Sequence, residues 1–245
     1  MKNFKKIVLF FILIFSISIF GCQENINTLM QERLSEVRYN LFCFSSDEIN
    51  IKFTSGFRED PYVLNGKSEN KKEFGIITVK FLKEIPNKNA NPNFVITIED
   101  MDFDGGFELN PFDQTYVQDI KTFVLDEANI SIKISFGELN FEATLKNVSK
   151  QFEINHKDAL NIFIKEFKKE ITSLTKLNKN FEVYVKIIDD PSLEINKNYF
   201  YVCLLSDSGD SFSAIIDPIT KLVLAKNESK NQVILWYLFT KIISF

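Results

Sequence analysis

Asp100, Asp102 and Asp104 alternate in the run Asp100-Met101-Asp102-Phe103-Asp104-Gly105, and carboxylates at that spacing suit calcium. Oxygens at the first, third and fifth positions of a loop converge on one hard cation, and a following glycine lets the chain bend round it. Glu108 offers a further carboxylate, with Asp113 close behind. The glutamate that closes such a loop is missing, because its position falls on Pro111, and the preceding Val95–Glu99 reads as strand. A solvent-facing acidic turn accounts for the same residues without metal.

Other chemistry-bearing residues are few. His156 is the single histidine, so a serine or cysteine triad has to use it, yet it stands where a helix begins. No G-x-S-x-G, H-E-x-x-H or phosphate-cradling glycine loop occurs. Paired carboxylates of the glycosidase kind need only acids, and with 33 of them no pair stands out. The sequence therefore points to a non-catalytic role, with no bound cofactor beyond a calcium ion at the acidic run. Cys43 and Cys203 lie in apolar, strand-like stretches, either as a disulfide or as two buried thiols. Their spacing does not decide between these.

Cys22 is different. Lys2, Lys5 and Lys6 charge the amino terminus, and Ile7–Phe20 is apolar except for Ser16 and Ser18. That run falls short of the roughly 20 residues a spanning helix needs, but it suits a signal sequence. Gly21-Cys22 follows at once, and then the polar segment from Gln23 to Glu36. A small residue directly before a cysteine in this setting resembles the lipobox of bacterial lipoproteins. The match is of the looser, spirochaete type, with Ile19 and Phe20 where stricter boxes carry leucine and a small residue. In that family the thiol is alkylated with diacylglycerol, the leader is cut before the cysteine, and the new amino terminus receives an acyl chain such as palmitate.

The resemblance implies a signal peptide over 1–21, a lipidated tether over 22–36 and a place in the cell envelope. That place is the outer membrane, on its surface or periplasmic face, or the outer face of the inner membrane. Two or three acyl chains anchor stably where one does not. The whole chain carries 29 Lys+Arg against 33 Asp+Glu, net −4, and removing the leader takes away lysines but no acids. Such a charge argues against nucleic acid, which needs clustered basic residues. Membrane contact is then through lipid, and the remaining partner is a protein or small ligand.

Periodicity supplies the elements that must position any site. Residues 37–148 read as a β-rich region with short strands at Leu41–Phe44, Ile49–Phe53, Gly75–Leu82, Phe94–Ile98 and Thr115–Leu125. Thr28–Val37 reads as a short helix and Thr54–Lys72 as a turn-rich loop. Ile130–Leu145 alternates apolar and polar residues on both sides of Gly137-Glu138, which predicts a hairpin with a type II′ turn. Residues 151–245 change period. Leu160, Ile164, Phe167, Ile171 and Leu174 mark an amphipathic helix over His156–Leu177, capped by Asn155 with Asp158 at its positive end. Strands follow at Phe181–Ile187, Tyr199–Leu205, Phe212–Ile216 and Leu222–Ala225, and Val233–Phe245 reads as a buried C-terminal helix.

The expected class is α+β: an antiparallel β-rich region, then a helix packed on a small antiparallel sheet, the two sharing one core. The stretch AIIDPITKLVL within that second region resembles the PepSY family of extracytoplasmic domains, with Thr220-Lys221 replacing that family's Thr-Gly. The expected function is a lipid-anchored envelope protein with a binding or interaction role. The alternative is an assembly factor or, as the PepSY resemblance implies, a protease modulator.

Overall fold

The computed structural model describes residues 26–63, 65–83, 92–122, 124, 128–189 and 197–230. The leader, Cys22 and the expected helix over Val233–Phe245 lie outside the described residues. The elements in chain order are α1 (Ile26–Glu32), β1 (Leu34–Ser45), β2 (Ile49–Glu59), β3 (Lys71–Phe81), β4 (Asn93–Ile98), β5 (Met101–Gly106) and β6 (Glu108–Asn110). Next come β7 (Thr115–Ile120), β8 (Ile130–Phe136), β9 (Leu139–Asn147), α2 (His156–Glu166) and α3 (Lys168–Lys176). The strands β10 (Phe181–Asp189), β11 (Asn198–Ser206), β12 (Ser211–Ile216) and β13 (Val223–Ser229) complete the order.

Both halves of the sheet hang on β1. Along one edge it pairs antiparallel with β2. Along the other, its amino-terminal half pairs parallel with β10, Val37 opposite Val185, and its far half pairs with β9, Phe42 opposite Asn147. From β1 the ladder runs one way through β2, β3, β7 and β6, and the other way through β9, β8, β4 and β5. Only Phe107 separates β5 from β6, so the chain turns a corner there and brings the two edges round into a nearly closed barrel. The Phe107 N–H donates to the Pro92 carbonyl at 2.9 Å, and its ring packs tilted against that of Phe94, centroids 4.8 Å apart. The curl brings the edge strands β5 and β6 close together, while β13 forms the edge at the far end of the sheet.

Alternation along the strands fills the barrel. Phe42, Phe53, Ile77, Ile96, Ile132 and Leu145 point inward and are buried in one cluster. A second core lies between β10–β12 and the helices, where Phe181, Val183 and Val185 meet Leu160, Phe163, Phe167 and Ile171. The hairpin turns at Gly137, whose φ of +61° is the left-handed value a type II′ turn requires at that position. Asn155 caps α2 through a reciprocal pair of bonds: its side chain accepts from Asp158 N, and Asp158 accepts from Asn155 N.

The expected α+β class is corrected. Thirteen strands are joined in one hydrogen-bonded network and the described residues hold three short α-helices, so the molecule is mostly β. The C-terminal strands do not form a small separate sheet under a helix. They continue into the barrel through the parallel pairing of β10 with β1. Local periodicity carries no trace of that pairing, which joins residues about 150 positions apart in sequence. Two further expectations fail for the same reason. The helix read over Thr28–Val37 ends at Glu32, and strand begins at Leu34. The loop read over Thr54–Lys72 is strand as far as Glu59, held on both sides by β1 and β3.

Candidate functional site

The most unusual chemistry lies at one end of β1, β2 and β10, under the 60–70 loop. In β10 the residues Phe181, Val183, Val185 and Ile187 face the helices, so Glu182, Tyr184 and Lys186 face the other way. That side of a sheet is usually wet. Here Glu182 is 0% exposed and Glu59, the last residue of β2, only 6%. A second carboxylate so close to the first, on a different strand, is the feature that distinguishes this end of the molecule.

Tyr184 Oη lies 3.0 Å from Glu182 Oε2 and 3.0 Å from Tyr62 Oη. One phenol has one proton, so when Tyr184 donates to the carboxylate, Tyr62 donates to Tyr184. Glu59 Oε1 accepts from the Glu69 N–H at 3.3 Å, which ties the loop to the end of β2. Burial pushes the Glu182 carboxyl upward, and the neighbouring Glu59 charge adds to that rise against hydrogen bonding from Tyr62 and Tyr184. Burial likewise raises the Tyr62 and Tyr184 phenols and lowers the Lys71 ammonium.

Four side-chain oxygens remain without a partner here: Ser35 Oγ, Glu59 Oε2, Ser68 Oγ and Glu182 Oε1. Ser35 sits against Glu182 without reaching hydrogen-bond geometry. Ser68 also lines a cleft of about 590 Å³ between α1 and the loop, together with Thr28, Gln31, Glu32, Lys67 and Lys71. The Ser68 N–H donates to the Glu32 carbonyl at 3.3 Å, which closes one side of that cleft. Gly66 packs the loop on Asn180: its φ is +72°, and an added Cβ would lie 2.9 Å from Asn180 Cβ.

The acidic run behaves differently. Asp100 is in the turn between β4 and β5, Asp102 and Asp104 lie on β5, and Glu108 lies on β6; all four are exposed. Asp102 and Asp104 lie two apart on an extended, solvent-exposed strand and not in a loop wrapped round an ion. Asp102 instead accepts from Thr97 Oγ1 at 2.6 Å across the hairpin. Among the described residues no three His, Cys, Asp or Glu side chains gather closely enough to hold a metal ion.

Cys43 and Cys203 are free thiols. Val37, Val185 and Val202 lie in one row across β1, β10 and β11, so Cys43 stands several residues further along β1 than Cys203's level. That is more than about 15 Å at strand spacing, beyond the reach of a disulfide. His156 opens α2 with its ring 5.2 Å from that of Tyr39.

Reading the sequence missed Glu59 and Glu182. Alternating Glu182-Val-Tyr184-Val-Lys186 looks like the wet face of a strand, and only the loop some 120 residues earlier in sequence buries it. The chain matches no family model, no curated protein and no solved structure.

Proposed function

We propose that this chain is a lipid-anchored protein of the cell envelope with a binding or interaction role. The observation that carries the reading is Gly21-Cys22 at the end of the apolar run Ile7–Phe20, followed by a polar segment. Among the described residues no helix is long and apolar enough to cross a membrane, so an acyl anchor is consistent with the body of the chain. The cleft beside Ser68 and Lys71 supports binding as the role, since a concave surface with a few placed polar groups is where ligands settle.

Metabolic labelling with an alkyne analogue of palmitate tests the anchor. The wild-type protein takes up label and partitions into detergent, whereas Cys22→Ala stays unlabelled. Equal labelling of the two, or none in the wild type, overturns the reading.

A further inference from the structure

Six buried side-chain oxygens lack a partner among the described residues, and four of them belong to residues linked where β1, β2, β10 and the 60–70 loop meet: Ser35 and Glu59 act on Glu182, Glu59 holds Glu69 N–H, and Ser68 N–H bonds to the Glu32 carbonyl. A buried polar atom left unpaired costs on the order of 1–3 kcal/mol, a cost that one ligand shared by the four would offset. Two belong to carboxylates, Glu59 and Glu182, and two to serine hydroxyls, Ser35 and Ser68. Glu182 is wholly buried, Ser35 2% exposed and Glu59 6%.

Lys71 feels the Glu59 charge but does not bond to it. Lys71 Nζ reaches back to the Gln31 carbonyl at 3.5 Å and lies 5.2 Å from the centre of the Phe57 ring. What these oxygens lack is therefore a positive partner that sits among them. Carboxylate and hydroxyl oxygens are hard ligands, suited to calcium rather than to metals that prefer imidazole or thiolate.

We propose that Ser35, Glu59, Ser68 and Glu182 form a binding site for a hard divalent cation of the calcium class, reached through the cleft between α1 and the loop. Two carboxylates balance the charge of one such ion. Water entering by the cleft, which Ser68 also lines, completes its shell. Ligands from β1, β2, β10 and the loop then make the ion a clasp holding the 60–70 loop to the end of the sheet. The site is distinct from the exposed acids of β5, and it stands whether or not Cys22 carries lipid.

The test is titration of the full-length protein in detergent, stripped with chelator, with calcium chloride by calorimetry and with terbium by luminescence. Tyr62 and Tyr184 lie beside the site, so excitation of tyrosine gives sensitised terbium emission. The expected result is one calcium per chain with a Kd of about 0.1–1 mM, the range of extracellular modules. Glu59→Gln and Glu182→Gln each weaken it more than about tenfold, whereas the Asp102→Asn, Asp104→Asn double variant binds as the wild type does. Ser68→Ala, a milder change at the cleft, weakens binding severalfold and guards against a Glu182→Gln chain that does not fold. A wild-type protein that gives neither heat nor sensitised emission at millimolar ion overturns the proposal. So does binding that survives loss of both carboxylates, or that disappears in the Asp102, Asp104 variant.

Discussion

Lys186 Nζ lies 3.0 Å from Glu36 Oε2 across the parallel pairing of β10 with β1. The other oxygen of the same carboxylate accepts from Arg38 Nε at 2.6 Å. All three side chains are nearly buried, at 6% exposure for Lys186, 15% for Glu36 and 12% for Arg38. Charges this enclosed are costly to leave alone, so the triad ties the barrel to the C-terminal strands at the one parallel junction among the described pairings. Glu36→Gln removes the counter-charge that two buried cations share. It is expected to lower unfolding free energy by about 3–5 kcal/mol in urea, with Lys186→Met costing less because Glu36 keeps Arg38. Equal losses in the two variants would refute the triad as drawn.

The same residues set a pH response. Burial raises the Glu36 carboxyl, but the Arg38 and Lys186 charges outweigh it and hold it at about 2, below the ordinary 4.5. A folded value below the unfolded one means stability present above pH 4.5 and lost as pH falls towards 2. Lys186 is pushed down to about 8 from 10.5, by burial first, with Glu36 opposing and Arg38 assisting. The unfolded chain therefore binds the extra proton between pH 8 and 10.5, and stability contributed by this group rises across that window. Urea unfolding at a series of pH values should show both slopes. Glu36→Gln should lose the acid slope and Lys186→Met the alkaline one.

Gly56 and Gly137 make opposite demands. Gly56 faces the bulge of β1, and a Cβ there would lie 1.7 Å from the Val37 carbonyl oxygen. Gly56→Ala must push two backbones apart and is expected to cost about 3 kcal/mol or more. Gly137 has nothing within 4 Å, so Gly137→Ala meets only the strain of its left-handed φ, about 1–2 kcal/mol. Thermal unfolding of the two variants ranks them directly, and the reverse order would contradict the register of β1 on β2.

Burial pushes both the Cys43 and the Cys203 thiol to about 11. Neither forms appreciable thiolate at pH 8, so alkylation of the native protein should be slow at both and complete only in denaturant. Mass spectrometry without prior reduction checks this. A mass gain at these residues that requires a reductant would establish the disulfide that the fold excludes.

Much of the local structure was legible because it is written in short periods. The Gly137 hairpin, the Asn155 cap and the alternation of β10 follow from patterns a few residues long. The helix over His156–Leu177 was legible in its apolar face, though it divides at Phe167 into α2 and α3. What escaped depends on partners remote in sequence. Asp100, Asp102 and Asp104 have the spacing of a metal loop, but pairing with β4 stretches them along an edge. Glu182 has the setting of a solvated strand residue, but the 60–70 loop and Glu59 enclose it. Neither outcome is contained in the residues nearby.

The proposed place in the cell envelope rests on the chemistry of Cys22, and intact-mass spectrometry of protein extracted from membranes tests it most directly. The expected species is a chain beginning at Cys22 and carrying the added mass of a diacylglyceryl group and at least one further acyl chain. A chain that retains Met1–Gly21, or one beginning near Cys22 with no added lipid mass, would contradict it.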